Sequence, residues 1–137
     1  MKSLLGHHQF EEEGVNCNFK GNVAEFLIQD NSLSVQLFKQ IEKRIFELSG
    51  QSKYYSIINT LDYTKLNADL REYLISEDRS WIILAEAVRV RNLAKKLMSD
   101  IYFQLNLPLV PTKTFLSTKD ARTWIEALNP SPKAANI

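Results

Sequence analysis

The order of patterns between Ala85 and Trp124 constrains the fold of this chain more than any other feature. A small, β-branched run from Ala85 to Val90 is followed by an Asn92 cap and an apolar stripe at Leu93, Leu97, Met98, Ile101, Tyr102 and Leu105, which Asn106 ends. Pro108 and Pro111 then fix an extended loop, and Thr112 to Leu116 reads as a short strand. Ser117 or Thr118 caps a last helix carrying Ala121, Trp124, Ile125 and Leu128. Strand, helix, strand, helix is a βαβα unit, and a helix between two strands is the connection that parallel pairing needs. The stripe after Asn92 is therefore expected to pack on the sheet as core.

The first half supplies the rest of that sheet. In Tyr54 to Leu61, Ile57 and Ile58 stand side by side instead of alternating, which suits a strand covered on both faces and places it centrally. Before it, Ser32 or Ser34 can cap a helix with Leu37, Phe38, Ile41, Ile45, Phe46 and Leu48 on its apolar side, ending at Ser49-Gly50. Its wet face holds Gln40, Glu42, Lys43 and Glu47. After the strand, Asn67 caps one helix expected to run to about Ile83, with Leu70, Tyr73, Leu74, Trp81 and Ile82 inward and Glu77-Asp78-Arg79 in solvent. Phe10 to Phe19 reads as a hairpin turning at Gly14. Residues 21–31 carry a mixed signal: Val23, Phe26 and Leu27 suit a helix, Phe26 and Ile28 a strand, and we take the segment as extended. The expected fold is an α/β sandwich, with a mainly parallel central sheet, an N-terminal antiparallel hairpin at its edge and flanking helices. One domain spans 1–129, and 130–137 is a flexible tail.

Composition narrows the function classes. A chain of 137 residues can bury a core without disulfides or metals. With 17 basic against 16 acidic residues, bulk charge gives no reason to expect nucleic acid as a partner. Leu4-Leu5 is too brief for a signal peptide, and no apolar run approaches the length of a bilayer span, so no membrane span and a cytoplasmic location are expected. Cys17 is alone and reads as a small strand residue. His7 and His8 would face opposite ways on a strand, with no further histidine or cysteine cluster to complete a metal shell. Four glycines form no phosphate-cradling loop. No cofactor, no metal and no catalytic residues are expected.

The wording of the second half resembles a known family. Arg71-Glu72-Tyr73-Leu74 before Ser76-Glu77-Asp78, Ala85-Glu86-Ala87-Val88, Ile101-Tyr102-Phe103-Gln104-Leu105-Asn106, Pro108, Pro111-Thr112-Lys113-Thr114-Phe115, Ala121 and Trp124-Ile125 are similar to small bacterial STAS-like domains of unknown function, also described as CRAL-TRIO-like. The match covers roughly residues 35–128. The resemblance implies the fold of the anti-sigma-factor antagonists: successive β-α turns wound into a superhelix, with partner recognition around the loop that leaves the central strand and the helix after it. In signalling members that helix opens with an Asp-Ser-Ser-Gly-like motif whose serine is phosphorylated. Here Leu61-Asp62-Tyr63-Thr64-Lys65 occupies the stretch: Asp62 fits the acidic residue, Tyr63 and Thr64 replace the serines, and Lys65 replaces the glycine. Thr64 alone could carry the modified hydroxyl.

Two candidate surfaces follow. The resemblance implies partner binding through Asp62, Tyr63, Thr64 and Asn67. Separately, Arg89, Arg91 and Lys95, with Lys96 beside them, gather charge where a strand meets a helix, and Lys113 opens the next strand. Helix N-termini at the carboxyl ends of parallel strands favour anions, although charge runs of this size are more often a solvated rim. The expected role is a non-enzymatic regulatory or protein-interaction module. Its alternative is a small-molecule or lipid carrier lined by Leu93, Leu97, Ile101 and Tyr102. An unpaired hairpin edge and the apolar loop Leu107 to Val110 offer surfaces for a homodimer.

Overall fold

The computed structural model describes residues 7–129, so the expected tail lies outside the described residues. Strands β1 (His7–Glu12), β2 (Val15–Lys20), β3 (Val23–Ile28), β4 (Tyr54–Asn59), β5 (Ile83–Arg89) and β6 (Thr112–Phe115) form one six-stranded sheet in sequence order. β1, β2 and β3 pair antiparallel, whereas β3, β4, β5 and β6 pair parallel. The sheet is thus the mixed α/β arrangement that the order of patterns specified, with the N-terminal hairpin at its antiparallel edge. Within residues 21–31, Val23–Ile28 form a strand. Phe26 and Ile28 point to the same buried side as Ala24, and the period of two wins over the helical spacing.

Handedness then decides where the helices go. The parallel strands step across the sheet in one direction, and right-handed crossovers put every connecting helix on the same face. That face carries α1 (Val35–Leu48), α2 (Ala68–Leu74), α3 (Glu77–Ser80) and α4 (Leu93–Leu105). Its main core joins Phe19, Phe26, Tyr54, Ile58 and Val88 of the sheet to Phe38, Ile41 and Ile45 of α1 and Leu70 of α2. α5 (Thr118–Leu128) follows the last strand, has no crossover to complete, and packs on the opposite face. There Ala121 and Ile125 meet Tyr55, Ile57, Ala85 and Ala87 in a smaller core. β4 is central and buried along its whole length, as the adjacent Ile57 and Ile58 require.

Three expectations are corrected. The single helix from Asn67 to Ile83 is two short helices, and Ile83 already belongs to β5. Continuing α2 at 3.6 residues per turn would carry the Leu70–Leu74 face on to Glu77 or Asp78 and Trp81. The break at Ile75-Ser76 resets the phase, so that Arg79 turns inward at 1% exposure and Trp81 outward at 66%. Glu42, assigned to the wet face of α1, is buried at 1%. The apolar stripe of α4 is not core: Leu93, Leu97, Met98, Ile101 and Leu105 are exposed, and Ser99 and Phe103 are the buried residues of that helix.

Candidate functional site

Two constellations stand out, one sealed and one open. The sealed one spans β4, β5, α1, α2 and α3. Arg79 Nη2 lies 2.9 Å from Glu42 Oε2 and Nη1 lies 2.8 Å from Glu86 Oε1, with all three side chains at 3% exposure or less. Tyr73 donates to Glu42 at 2.6 Å and Tyr54 at 3.3 Å, while Ser56 donates to Glu86 at 2.7 Å. The Arg79 Nη1 also donates to the Leu74 carbonyl at 3.2 Å, where α2 ends. Burial alone would lower the Arg79 pKa, but the two carboxylates outweigh it and hold the guanidinium charged. Burial raises the Glu42 pKa further than Arg79 and the Tyr73 hydrogen bond lower it. The triad joins two helices to the sheet and is shut off from solvent, so its chemistry is cohesion. The signal that could have found it is Glu86, a lone charge among the buried Ala85, Ala87 and Val88 of β5, which burial tolerates only when paired.

The open constellation lies at the carboxyl ends of β4 and β5. Asp62 is the N-cap of a 3-10 turn, Tyr63–Lys65, and its Oδ1 accepts from the Thr64 N–H at 3.1 Å and the Thr64 hydroxyl at 2.8 Å. Its Oδ2 pairs with Lys95 Nζ at 2.9 Å. Burial works to raise the Asp62 pKa, but the hydrogen bonds from Lys95 and Thr64 and the Lys95 charge overcome it and hold the carboxyl below its usual range. Tyr63 is wholly buried, its ring 4.9 Å from Phe103 and 5.7 Å from Tyr102 between centroids. Asn67 caps α2, accepting from the N–H of Asp69 at 2.8 Å. Asp62, Tyr63 and Asn67 therefore build the turn, and Thr64 and Lys65 present it, half-buried and exposed respectively.

The basic residues do not form one patch. Lys95 is engaged by Asp62, and Lys96 pairs with Asp100 at 3.0 Å along α4. Arg89 and Lys113 belong to the other side of the sheet, the one α5 covers: Arg89 Nε donates to the Leu116 carbonyl at 3.4 Å, and Lys113 lies 5.6 Å over the Phe115 ring. The pleat separates them, because alternate residues of a strand face opposite ways. Arg91 is exposed just before the Asn92 cap of α4.

α4 itself is turned inside out relative to its apolar pattern. Lys95 reaches Asp62, Asp100 accepts from the Thr114 hydroxyl of β6, and Phe103 packs on Tyr63, so the polar arc of the helix faces the protein. The arc of Leu93, Ala94, Leu97, Met98, Ile101 and Leu105 faces outward. Leu93, Leu97 and Ile101 are more than half exposed, at 59%, 54% and 55%, so these proposed carrier-lining groups stand on an open surface, and Tyr102 is half-buried beside Tyr63. A shallow cleft of about 380 Å³ elsewhere is lined by Lys53, Trp81, Leu84 and Leu109 among others.

His7 and His8 sit on β1, where His7 Nε2 lies 3.0 Å from Asn18 Oδ1. Cys17 is buried on β2, and burial pushes its thiol far above the usual range. Among the described residues, no three His, Cys, Asp or Glu side chains are grouped to hold a metal ion, and no helix is long and apolar enough to cross a membrane. No curated protein and no solved structure matches the chain. A family model described as a domain of unknown function, DUF7793, matches residues 22–129, from the residue before β3 to the end of α5, leaving the β1–β2 hairpin outside it. The match covers well over half of the chain, which therefore belongs to the DUF7793 family.

Proposed function

We propose that this chain is a non-enzymatic protein-interaction module that binds through the outer arc of α4 and the adjoining Asp62–Asn67 turn. The observation that carries the reading is the orientation of α4. A helix that faces its polar arc inward and exposes six apolar side chains gives up burial that its sequence could provide. Apolar surface held out in one contiguous arc marks an interaction site.

The STAS-like reading is supported by the consecutive order β3-β4-β5-β6 and by the helices that share one face of it. In that reading the turn after the central strand is the element a regulator would alter. A phosphoryl group on Thr64 would add about −1.5 to −2 charge beside Asp62 and compete with it for Lys95. That would loosen the tie between the turn and α4.

A photo-crosslinking amino acid placed at Leu97 or at Thr64, in cells that make this protein, tests the site. Protein adducts are expected at both positions and not at Lys119, which is exposed on α5. Absence of any protein adduct at Leu97 and Thr64 would overturn the reading.

A further inference from the structure

We infer that the occupant of the α4 arc is a second copy of this chain, with the two α4 helices crossing antiparallel about a two-fold axis. The inference rests on α4 being the contact surface and adds the identity of its partner. Leu93, Leu97, Ile101 and Leu105 recur every fourth residue and so form a single ridge, about 18 Å long at 1.5 Å per residue. Ridges of this i±4 type pack into the matching grooves of another helix at about −50°, the commonest helix crossing.

Such a ridge is self-complementary. A two-fold axis through the outer arc, level with Ser99 along the helix, sets Leu93 of one copy against Leu105 of the other and Leu97 against Ile101, so each leucine or isoleucine of the ridge finds an apolar partner. Charge agrees with this arrangement. No ionised side chain lies within the arc, and Lys96 and Asp100 at its margin are already paired with each other. Antiparallel crossing also brings the exposed Arg91, just before one α4, towards the carbonyl end of the other, where the helix dipole is negative.

The area is of the right size as well. A standard interface removes about 800 Å² from each partner, and about 65% of it is apolar in homodimers. The exposed fractions of the arc, from 44% at Met98 to 78% at Leu105, correspond to roughly 500 Å² of apolar surface, which is that apolar share.

Sedimentation equilibrium of the purified full chain at about 100 µM, a concentration that populates an interface of this size, tests the pairing. The expected mass is twice that of the 15.8 kDa chain. Leu97→Lys and Ile101→Glu should each give monomers, with circular dichroism and thermal unfolding of the monomer unchanged, because both side chains are exposed. Mixing the two variants should restore a dimer, since the axis sets position 97 of one copy against position 101 of the other and the introduced charges are opposite. A wild-type monomer would overturn the inference, as would dimers that survive both substitutions, or a mixture that stays monomeric. A wild-type monomer that still yields a crosslink from Leu97 to a different protein would remove the second copy while leaving the interaction reading intact.

Discussion

Lys95 Nζ sits 2.9 Å from Asp62 Oδ2, and this contact ties the first turn of α4 to the turn that leaves the central strand. Asp62 thereby serves two elements at once, capping the Thr64 turn with one oxygen and holding α4 with the other.

The Asp62 contact has a defined pH signature. Its folded pKa lies below the ordinary value near 4, so the native state binds fewer protons, and the stability this contributes is complete above that value and lost as pH falls through the depressed one. Asp62→Asn is expected to be less stable than the wild type at pH 7, with the gap closing as pH falls below the ordinary carboxylate value and through the depressed one. Urea unfolding of both proteins across that range measures it.

The reversed orientation of α4 predicts an inverted pattern of substitution costs. Phe103→Ala, at a buried position against Tyr63, should lose about 3 kcal/mol, whereas Leu97→Ala should stay within about 0.5 kcal/mol. Chemical denaturation at protein concentrations low enough to keep the chain monomeric separates the two. Equal losses at both positions would contradict the orientation.

The buried triad predicts that half-removal is worse than full removal. Arg79→Met leaves Glu42 and Glu86 facing each other out of water and should cost about 3–5 kcal/mol. Replacing all three, as Glu42→Leu, Arg79→Met and Glu86→Leu together, should recover most of that loss, because apolar groups of similar volume need no partner. Thermal unfolding of the single and triple variants provides the comparison.

Gly14 turns the β1–β2 hairpin at φ +85°, and its carbonyl accepts from the N–H groups of Gln29 at 2.8 Å and Asp30 at 3.3 Å. A Cβ there would meet the Asp30 Cβ at 2.9 Å, whereas at Gly21, φ +63°, nothing lies within 4 Å. Gly21→Ala should therefore cost about 1 kcal/mol for its left-handed backbone, and Gly14→Ala clearly more. Denaturant midpoints of the two variants test the difference.

Most of the strands, and every helix start but that of α3, were legible because their signals are local. Ser34, Asn67 and Asn92 each accept a hydrogen bond from the first turn of the helix they precede, a contact spanning two or three residues. The pattern of period two in Val15, Cys17 and Phe19 is equally local, and those side chains share one buried face. The proposed interaction surface was legible only in part. The turn at Asp62 could be picked out, but periodicity placed the α4 stripe in the core, because an apolar arc reads the same whether it faces a sheet or a neighbour.

Arg79 marks the same boundary from the other side. Its neighbours Glu77 and Asp78 and its charge assign it to solvent, and although Glu86 stands out among buried neighbours, no local pattern ties Glu42 or Glu86 to Arg79, 37 and 7 residues away.

The chain's own pattern of residues determined that there would be a mixed sheet, which strands would be parallel, and, through the handedness of L-residue crossovers, that the connecting helices would share a face. Tertiary structure alone decided which arc of α4 and which phase of the Asn67–Ile83 segment turn inward. Those choices depend on pairings such as Lys95 with Asp62 and Arg79 with Glu42 and Glu86, whose energies exist only once distant segments have been brought together and water removed.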